Sequence, residues 1–156
     1  MADVDIRVAT EADLDGLTES SNALIGEDAL ARDPLWNADY PRLHGRAWCS
    51  GHVGDPDSLV LVAVRDGAVV GHLIGSFAGP SRAVTGARTE LVSMRVAPEL
   101  RGARIGTRLV QAFVGWSRER GAVRMSVSAF ADNEGALRFY ARCGFTPMDV
   151  TLTAGL

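Results

Sequence analysis

The chain switches between two spacings of apolar residues, and the switches mark its elements. Val4–Ala9 alternates apolar and polar side chains, which predicts a first strand. Thr10-Glu11-Ala12-Asp13 reads as a capping box in which Asp13 replaces the usual Glu or Gln, so a helix follows with Leu14 and Leu17 inside. Ile25–Asn37 is less regular, and Pro34 breaks any helix there. Pro41 suits the first turn of a second helix from about Asp39 to His52, with Tyr40, Leu43 and Ala47 on one face.

The second half is more strongly patterned. Leu59–Val64 is a continuous apolar run, so Ser58–Val64 predicts a strand. Asp66-Gly67 signals a hairpin, with Ala68–Phe77 as the returning strand. Gly79–Thr85 reads as a loop and Thr89–Val96 as another strand. Ile105, Leu109, Ala112, Phe113 and Trp116 form the apolar stripe of a helix ending near Gly121. Val123–Ala129 follows as a strand, Asn133–Cys143 as a short helix stopped by Gly144, and Phe145–Leu152 as a closing strand. The order β-α-α-β-β-β-α-β-α-β puts antiparallel hairpins first and α/β crossovers second. It predicts an α/β protein (α+β in flavour) with a mixed sheet and helices on its faces.

Composition narrows the function classes. A chain of 156 residues, 47% hydrophobic and 22% charged, fits one globular domain over 1–156. A net charge of −3 supplies no basic field, which argues against a nucleic-acid partner. Every basic residue other than histidine is an arginine. Cys49 and Cys143 lack CxxC spacing and read as reduced thiols of a cytoplasmic protein. No apolar run approaches the roughly 20 residues of a membrane span. The 3 histidines are scattered without ligand spacing, so no metal site is expected.

Candidate chemistry concentrates in Arg95–Val110, RVAPELRGARIGTRLV. Arg101, Arg104 and Arg108 bring charge to a helix start where Gly102, Ala103 and Gly106 leave room. A helix start carries unpaired N–H groups and partial positive charge. Either an anion such as a phosphate sits there, or the segment is a tight strand-to-helix turn with incidental arginines. It is neither a Walker loop nor a GxGxxG fingerprint.

Val96-Ala97-Pro98-Glu99-Leu100-Arg101-Gly102-Ala103-Arg104-Ile105-Gly106 resembles the acyl-CoA-binding segment of the GNAT family of N-acetyltransferases, whose pattern is Q/R-x-x-G-x-G/A. Arg101 and Gly106 match, while Arg104 stands where the first glycine is expected and is taken to adopt helical angles. Asp132–Phe145 is similar to the family's N-x-x-A-x-x-x-Y-x-x-x-G-F, through Asn133, Ala136, Tyr140, Gly144 and Phe145. The two motifs lie in the family's order, and with the strands they cover roughly Leu59–Phe145.

The resemblance implies a GNAT fold with about four helices and a splayed parallel strand pair at the acyl-CoA site. It implies acetyl-CoA as co-substrate and no metal. Arg101, Gly102, Ala103, Arg104, Ile105, Gly106 and Thr107 would receive the pyrophosphate. The strand edge at Met94, Arg95 and Val96 would pair with the pantetheine arm, and Asn133 would hydrogen-bond it or the phosphate side. Tyr140 would protonate the leaving thiolate; a phenol of pKa about 10 suits that role. Glu90, opening the strand that leads to the motif, is the expected base for the attacking amine, with His44 and His72 as alternatives. Trp36, Tyr40 and Trp48, with Glu27, Asp28, Asp33 and Asp39, would form an acidic, aromatic wall suited to a cationic amine. The reading is therefore an N-acetyltransferase acting by direct attack in a ternary complex on a small cationic metabolite or antibiotic, such as a polyamine, aminoglycoside or amino-acid derivative. A protein or peptide amine is the alternative acceptor, and a non-catalytic acyl-CoA sensor the alternative class. A small-molecule amine is the expected partner, with neither nucleic acid nor membrane, and a homodimer is one expected assembly because dimers are common in the family.

Overall fold

The structure is a computed structural model that describes residues 3–156. Its centre is a sheet of five strands in the order β1 (Asp5–Val8), β2 (Ser58–Arg65), β3 (Ala68–Ala78), β4 (Arg88–Val96) and β5 (Arg124–Val127). All neighbours are antiparallel except β4 and β5, which run parallel. Helices α1 (Leu14–Glu27) and α3 (Tyr40–His52) cover one face; α4 (Ile105–Glu119) covers the other, and α5 (Glu134–Arg142) packs beside it.

The apolar run of β2 is explained by burial on both faces. Val60 and Val62 join Leu17, Cys49 and Ile74 in the core under α1 and α3. Leu59, Leu61 and Ala63 join Leu73, Leu91, Ile105, Leu109 and Phe113 in the core under α4. A strand buried twice has no polar side to alternate with. Asp66 and Gly67 turn the β2–β3 hairpin with φ of 52° and 78°, the pairing of a two-residue turn whose twist matches the strands. Two glycines in β3 serve close approach: a Cβ on Gly75 would lie 2.7 Å from Phe113 Cε2, and one on Gly71 would lie 2.8 Å from the Arg95 carbonyl.

Three boundaries differ from the sequence reading. The irregular stretch is helical as far as Arg32: α1 continues to Glu27 and a short α2 (Ala29–Arg32) follows. The first helix is preceded by a 3₁₀ turn, Glu11–Asp13. There the Asp13 carboxylate accepts from the Thr10 N–H at 2.8 Å and from both Arg7 guanidinium nitrogens at 2.7 and 2.8 Å. The closing strand Phe145–Leu152 does not form. Residues 146–156 carry no regular structure, and Met148, Val150 and Leu152 stand 74%, 78% and 88% exposed. Alternation needs an edge to pair with, and this segment meets none.

Two irregularities of β4 position the site. Its pairing with β5 ends at Leu91–Val127, and β4 runs on to Val96 with that edge open. On its other edge, β3 skips a residue: Ile74 pairs with Ser93 and Gly75 with Leu91, so Val92 is an inserted bulge. The bulge re-aims Val92 and Ser93 toward α1 and α3.

Candidate active site

A long groove of about 1390 Å³ lies along the open edge of β4 and the start of α4. It is lined by Met94, Arg95 and Val96, by Arg101, Gly102, Arg104, Gly106 and Thr107, and by Asn133, Tyr140 and Cys143 from the last helix segment. The structure thus brings together both motifs. Within α4 the first helical hydrogen bond runs from the Arg108 N–H to the Arg104 carbonyl, 3.0 Å. The N–H groups of Ile105, Gly106 and Thr107 therefore have no helical acceptor and face the turn, which is what an anion needs. Gly102 holds φ of +88°, which favours glycine. Gly106 serves a second purpose: its missing Cβ would lie 3.3 Å from Phe139 Cζ, so it also lets α5 pack against α4. Ile105 contributes only backbone, because its side chain is 2% exposed in the core. Ala103 is exposed at the turn without lining the groove.

Arg104 corrects the sequence reading. It sits at φ 62° and ψ 12°, in the left-handed region and not at right-handed helical angles. The chain has kept the geometry a glycine would adopt freely and placed an arginine in it. Its Cβ then meets the neighbouring backbone, at a cost of about 1–2 kcal/mol.

The acidic wall is also reorganised. Glu27 accepts hydrogen bonds from Arg95 at 2.7 and 3.2 Å and from Arg101 at 3.1 Å. Its carboxyl is held below the usual range chiefly by the Arg95 hydrogen bond. Arg101 also donates to the Val96 carbonyl at 3.2 Å. Glu27 therefore braces β4 against the turn before α4, paired with two arginines. Asp28 accepts from Arg32 at 2.7 Å and from Asn133 Nδ2 at 3.1 Å, while Asn133 Oδ1 accepts from the Ala136 N–H at 3.1 Å. Asn133 thus caps α5 and ties it to Asp28 at the end of α1, while it also lines the groove. Arg32 reaches on to Asp132 at 2.9 Å, completing a strap.

A second, smaller pocket of about 270 Å³ lies on the opposite side of β4, between α1, α2 and α3. Trp36, Tyr40 and Trp48 wall it, with Leu24, Ile25, Ala29 and Val92 completing an apolar lining around Ser21, Ser93 and Asp28. Trp36 and Tyr40 meet edge to face at 5.9 Å between centroids. Leu24 and Asp28 border both cavities, so the groove and the pocket adjoin there.

The titratable candidates separate by environment. Tyr140 is pushed up to about 12, first by burial and then by the nearby Cys143 and Asp28. Its phenol therefore holds its proton firmly at neutral pH. Burial raises Cys143 as well, so that thiol stays protonated. Glu90 is exposed on β4, one alternation before Val92, and lines neither cavity. His44 is exposed and tilted against Tyr40 at 5.2 Å, outside the pocket lining. His72 is fully buried, bonded to Ser20 at 2.7 Å and Ser93 at 2.8 Å. Burial pulls it down to about 3, with Arg95 adding to the effect, so it is neutral and unsuited to act as the base. Among the described residues no group of three or more His, Cys, Asp or Glu side chains comes together to hold a metal. Nor is any described helix long and apolar enough to cross a membrane.

Sequence reasoning missed Ser93, Leu24 and Val92 as pocket walls. Only the bulge turns Val92 and Ser93 inward, and nothing local in TELVSMRV announces a bulge.

The mixed sheet opens at its one parallel pair beside a basic helix start. The model of the acetyltransferase (GNAT) family matches residues 24–145, and the chain belongs to that family and is an N-acetyltransferase. No curated protein matches the chain by sequence. Among solved structures it is similar to a transcriptional regulator from Bacillus halodurans C-125, at 26% identity and a TM-score of 0.76, covering 99% of this chain and 100% of that one. It is also similar to the aminoglycoside N-acetyltransferase AAC(6')-Iy in complex with CoA, at 16% identity and a TM-score of 0.78, covering 100% and 96%. A ribosomal-protein-alanine N-acetyltransferase from Brucella melitensis biovar Abortus 2308 shares the fold at 17% identity and a TM-score of 0.72, covering 99% of each.

Proposed function

We propose that this chain transfers acetyl from acetyl-CoA directly to the primary amine of a small cationic molecule seated in the aromatic pocket. The observation that carries the reading is the placement of two cavities on opposite sides of one strand, β4, meeting at Leu24 and Asp28. A thioester held along Met94–Val96 and an amine held among Trp36, Tyr40 and Trp48 can meet there without a covalent enzyme intermediate. That arrangement converts an encounter of two solutes into a reaction within one complex.

The groove fits the co-substrate. Free N–H groups at Ile105–Thr107, the glycine turn at Gly102 and the guanidinium groups of Arg101 and Arg104 suit a pyrophosphate. The open edge of β4 suits an amide-bearing arm that adds like a strand. When bound, acetyl-CoA supplies an activated acyl group and a thiolate leaving group. Tyr140 keeps its proton at Oη and donates it, as a hydrogen bond, to sulfur as negative charge develops there. Glu90 takes the proton of the amine through water, since its carboxylate is exposed on the acceptor face of β4. The aromatic walls favour a cationic amine by cation–π attraction. Glu27 and Asp28 are already committed to arginines, which shifts recognition from charge pairing to ring faces.

The test is calorimetric titration with acetyl-CoA, then thiol release with polyamines, aminoglycosides, arylalkylamines and short peptides. Binding with release for one acceptor class supports the reading. Binding without release across the panel would favour a sensor. Tyr140→Phe should lower kcat roughly 100-fold while leaving the acetyl-CoA Kd within about twofold. Glu90→Gln should displace the acid limb of the pH–rate profile; an unmoved limb would remove Glu90 as base.

A further inference from the structure

Ser20 on α1, His72 on β3 and Ser93 on β4 form a buried chain, with hydroxyls at 2.7 Å from Nδ1 and 2.8 Å from Nε2. Their exposures are 4%, 0% and 7%. The imidazole is each hydroxyl's only hydrogen-bond partner among the described residues. The ring is neutral, so one nitrogen donates and the other accepts. Two arrangements follow. If Nδ1 carries the proton, Ser20 must accept, and its own O–H is left in the interior with nothing to donate to. If Nε2 carries the proton, Ser20 donates to Nδ1 and Nε2–H donates to Ser93 Oγ. The one proton then unspent is that of Ser93, which lines the aromatic pocket. Buried donors are seldom left without partners, so the second arrangement is favoured. Both hydrogen bonds then point the same way, and the first polarises the second.

We propose that the Ser20–His72–Ser93 chain makes the Ser93 hydroxyl a hydrogen-bond donor aimed into the aromatic pocket, selecting acceptor amines that carry a carbonyl or hydroxyl oxygen beside the amine. The inference rests on that pocket being the acceptor site. Its lining contains no lysine or arginine, so the side-chain donors there are the Ser93 and Ser21 hydroxyls, the Tyr40 phenol and the Trp36 and Trp48 indole N–H groups, and Ser93 is the one whose proton the buried chain leaves unspent. The apolar remainder, about 270 Å³ in all, suits a compact aromatic or branched side group. The acceptor is then an amino amide or amino alcohol with such a group. Ser93 acts as a specificity-determining residue.

Three probes isolate the oxygen: 2-phenylethylamine, phenylalaninol and phenylalaninamide. Their binding to the full chain is read by quenching of tryptophan fluorescence, since Trp36 and Trp48 wall the pocket. At least one oxygen-bearing probe should bind roughly fivefold to tenfold more tightly than 2-phenylethylamine, and which one gains identifies the preferred oxygen. In Ser93→Ala that preference should fall to about one, and Ser93→Thr, which keeps the hydroxyl, should restore part of it. Nitrogen-15 spectra of the unliganded protein should show His72 protonated on Nε2, a readout independent of any ligand. Equal binding of all three probes by the natural protein overturns the proposal while leaving acetyl transfer intact. So does a preference that survives in Ser93→Ala, or a His72 ring bare at Nε2. No binding of any probe removes the pocket as the site of such amines and overturns the proposal; failure of acetyl transfer itself is read separately, by thiol release.

Discussion

Replacing Arg104 by glycine should stabilise the free protein, although it deletes a charged residue from a basic turn. Arg104 holds φ 62°, where a Cβ costs about 1–2 kcal/mol. Glycine removes that cost but widens the unfolded ensemble, which returns about 0.4–1 kcal/mol. The Arg104 side chain makes no capping hydrogen bond to α4, so little else is lost. The net gain is roughly 0.5–1 kcal/mol, or a Tm rise of about 1–4 °C for a domain of this size. Arg104→Ala is the control, because alanine keeps the Cβ and loses the same charge. It should show no comparable gain, while both variants should weaken acetyl-CoA binding by a few fold through the missing charge beside the phosphates. Thermal melts and urea unfolding of the three proteins, followed by calorimetric titration, decide the matter. If Arg104→Gly and Arg104→Ala have the same stability, the left-handed strain is absent and the reasoning fails.

Two further perturbations probe the scaffold. Gly75→Ala places a Cβ 2.7 Å from Phe113 Cε2 in a side chain with no exposed surface, and should cost about 1–3 kcal/mol in urea unfolding without abolishing the fold. Asp13 is held at about 2, first by its Arg7 hydrogen bond, against an ordinary 3.8, so its contribution is full above pH about 4 and lost as pH falls through about 2. With Arg7 42% exposed, that contribution is about 1–2 kcal/mol, and Asp13→Asn should flatten stability across this acid window; an unchanged acid slope would show that the pair contributes nothing.

The sheet and the groove were legible because their signals are local. The doubly buried β2, the Asp66-Gly67 hairpin and the stripe Ile105, Leu109 and Phe113 depend on spacing alone, and each appears where its pattern puts it. The turn at Arg101–Thr107 was legible for the same reason. What escaped depends on partners far along the chain. Glu27 and Asp28 read as free acids because Arg95 lies 68 residues away and Asn133 lies 105. Arg104 read as right-handed because its residue type gives no hint of positive φ. Phe145–Leu152 reads as a strand in the sequence, but such a segment becomes one only beside an edge, and Met148, Val150 and Leu152 stand exposed.

The open edge of β4 has a consequence for motion as well as for binding. From Ser93 to Val96 the strand is held by β3 alone, while the edge facing the groove meets no neighbour beyond Leu91. A sheet margin secured on one side opens locally at lower free energy than its doubly paired middle. Whatever lies down along that margin finishes the sheet. Amide protons of Met94–Val96 should thus exchange quickly in the free protein and slow when the co-substrate is present, while those of Val60–Ala63 in the sheet's interior hardly change. In that sense the molecule completes its own fold only while it is at work.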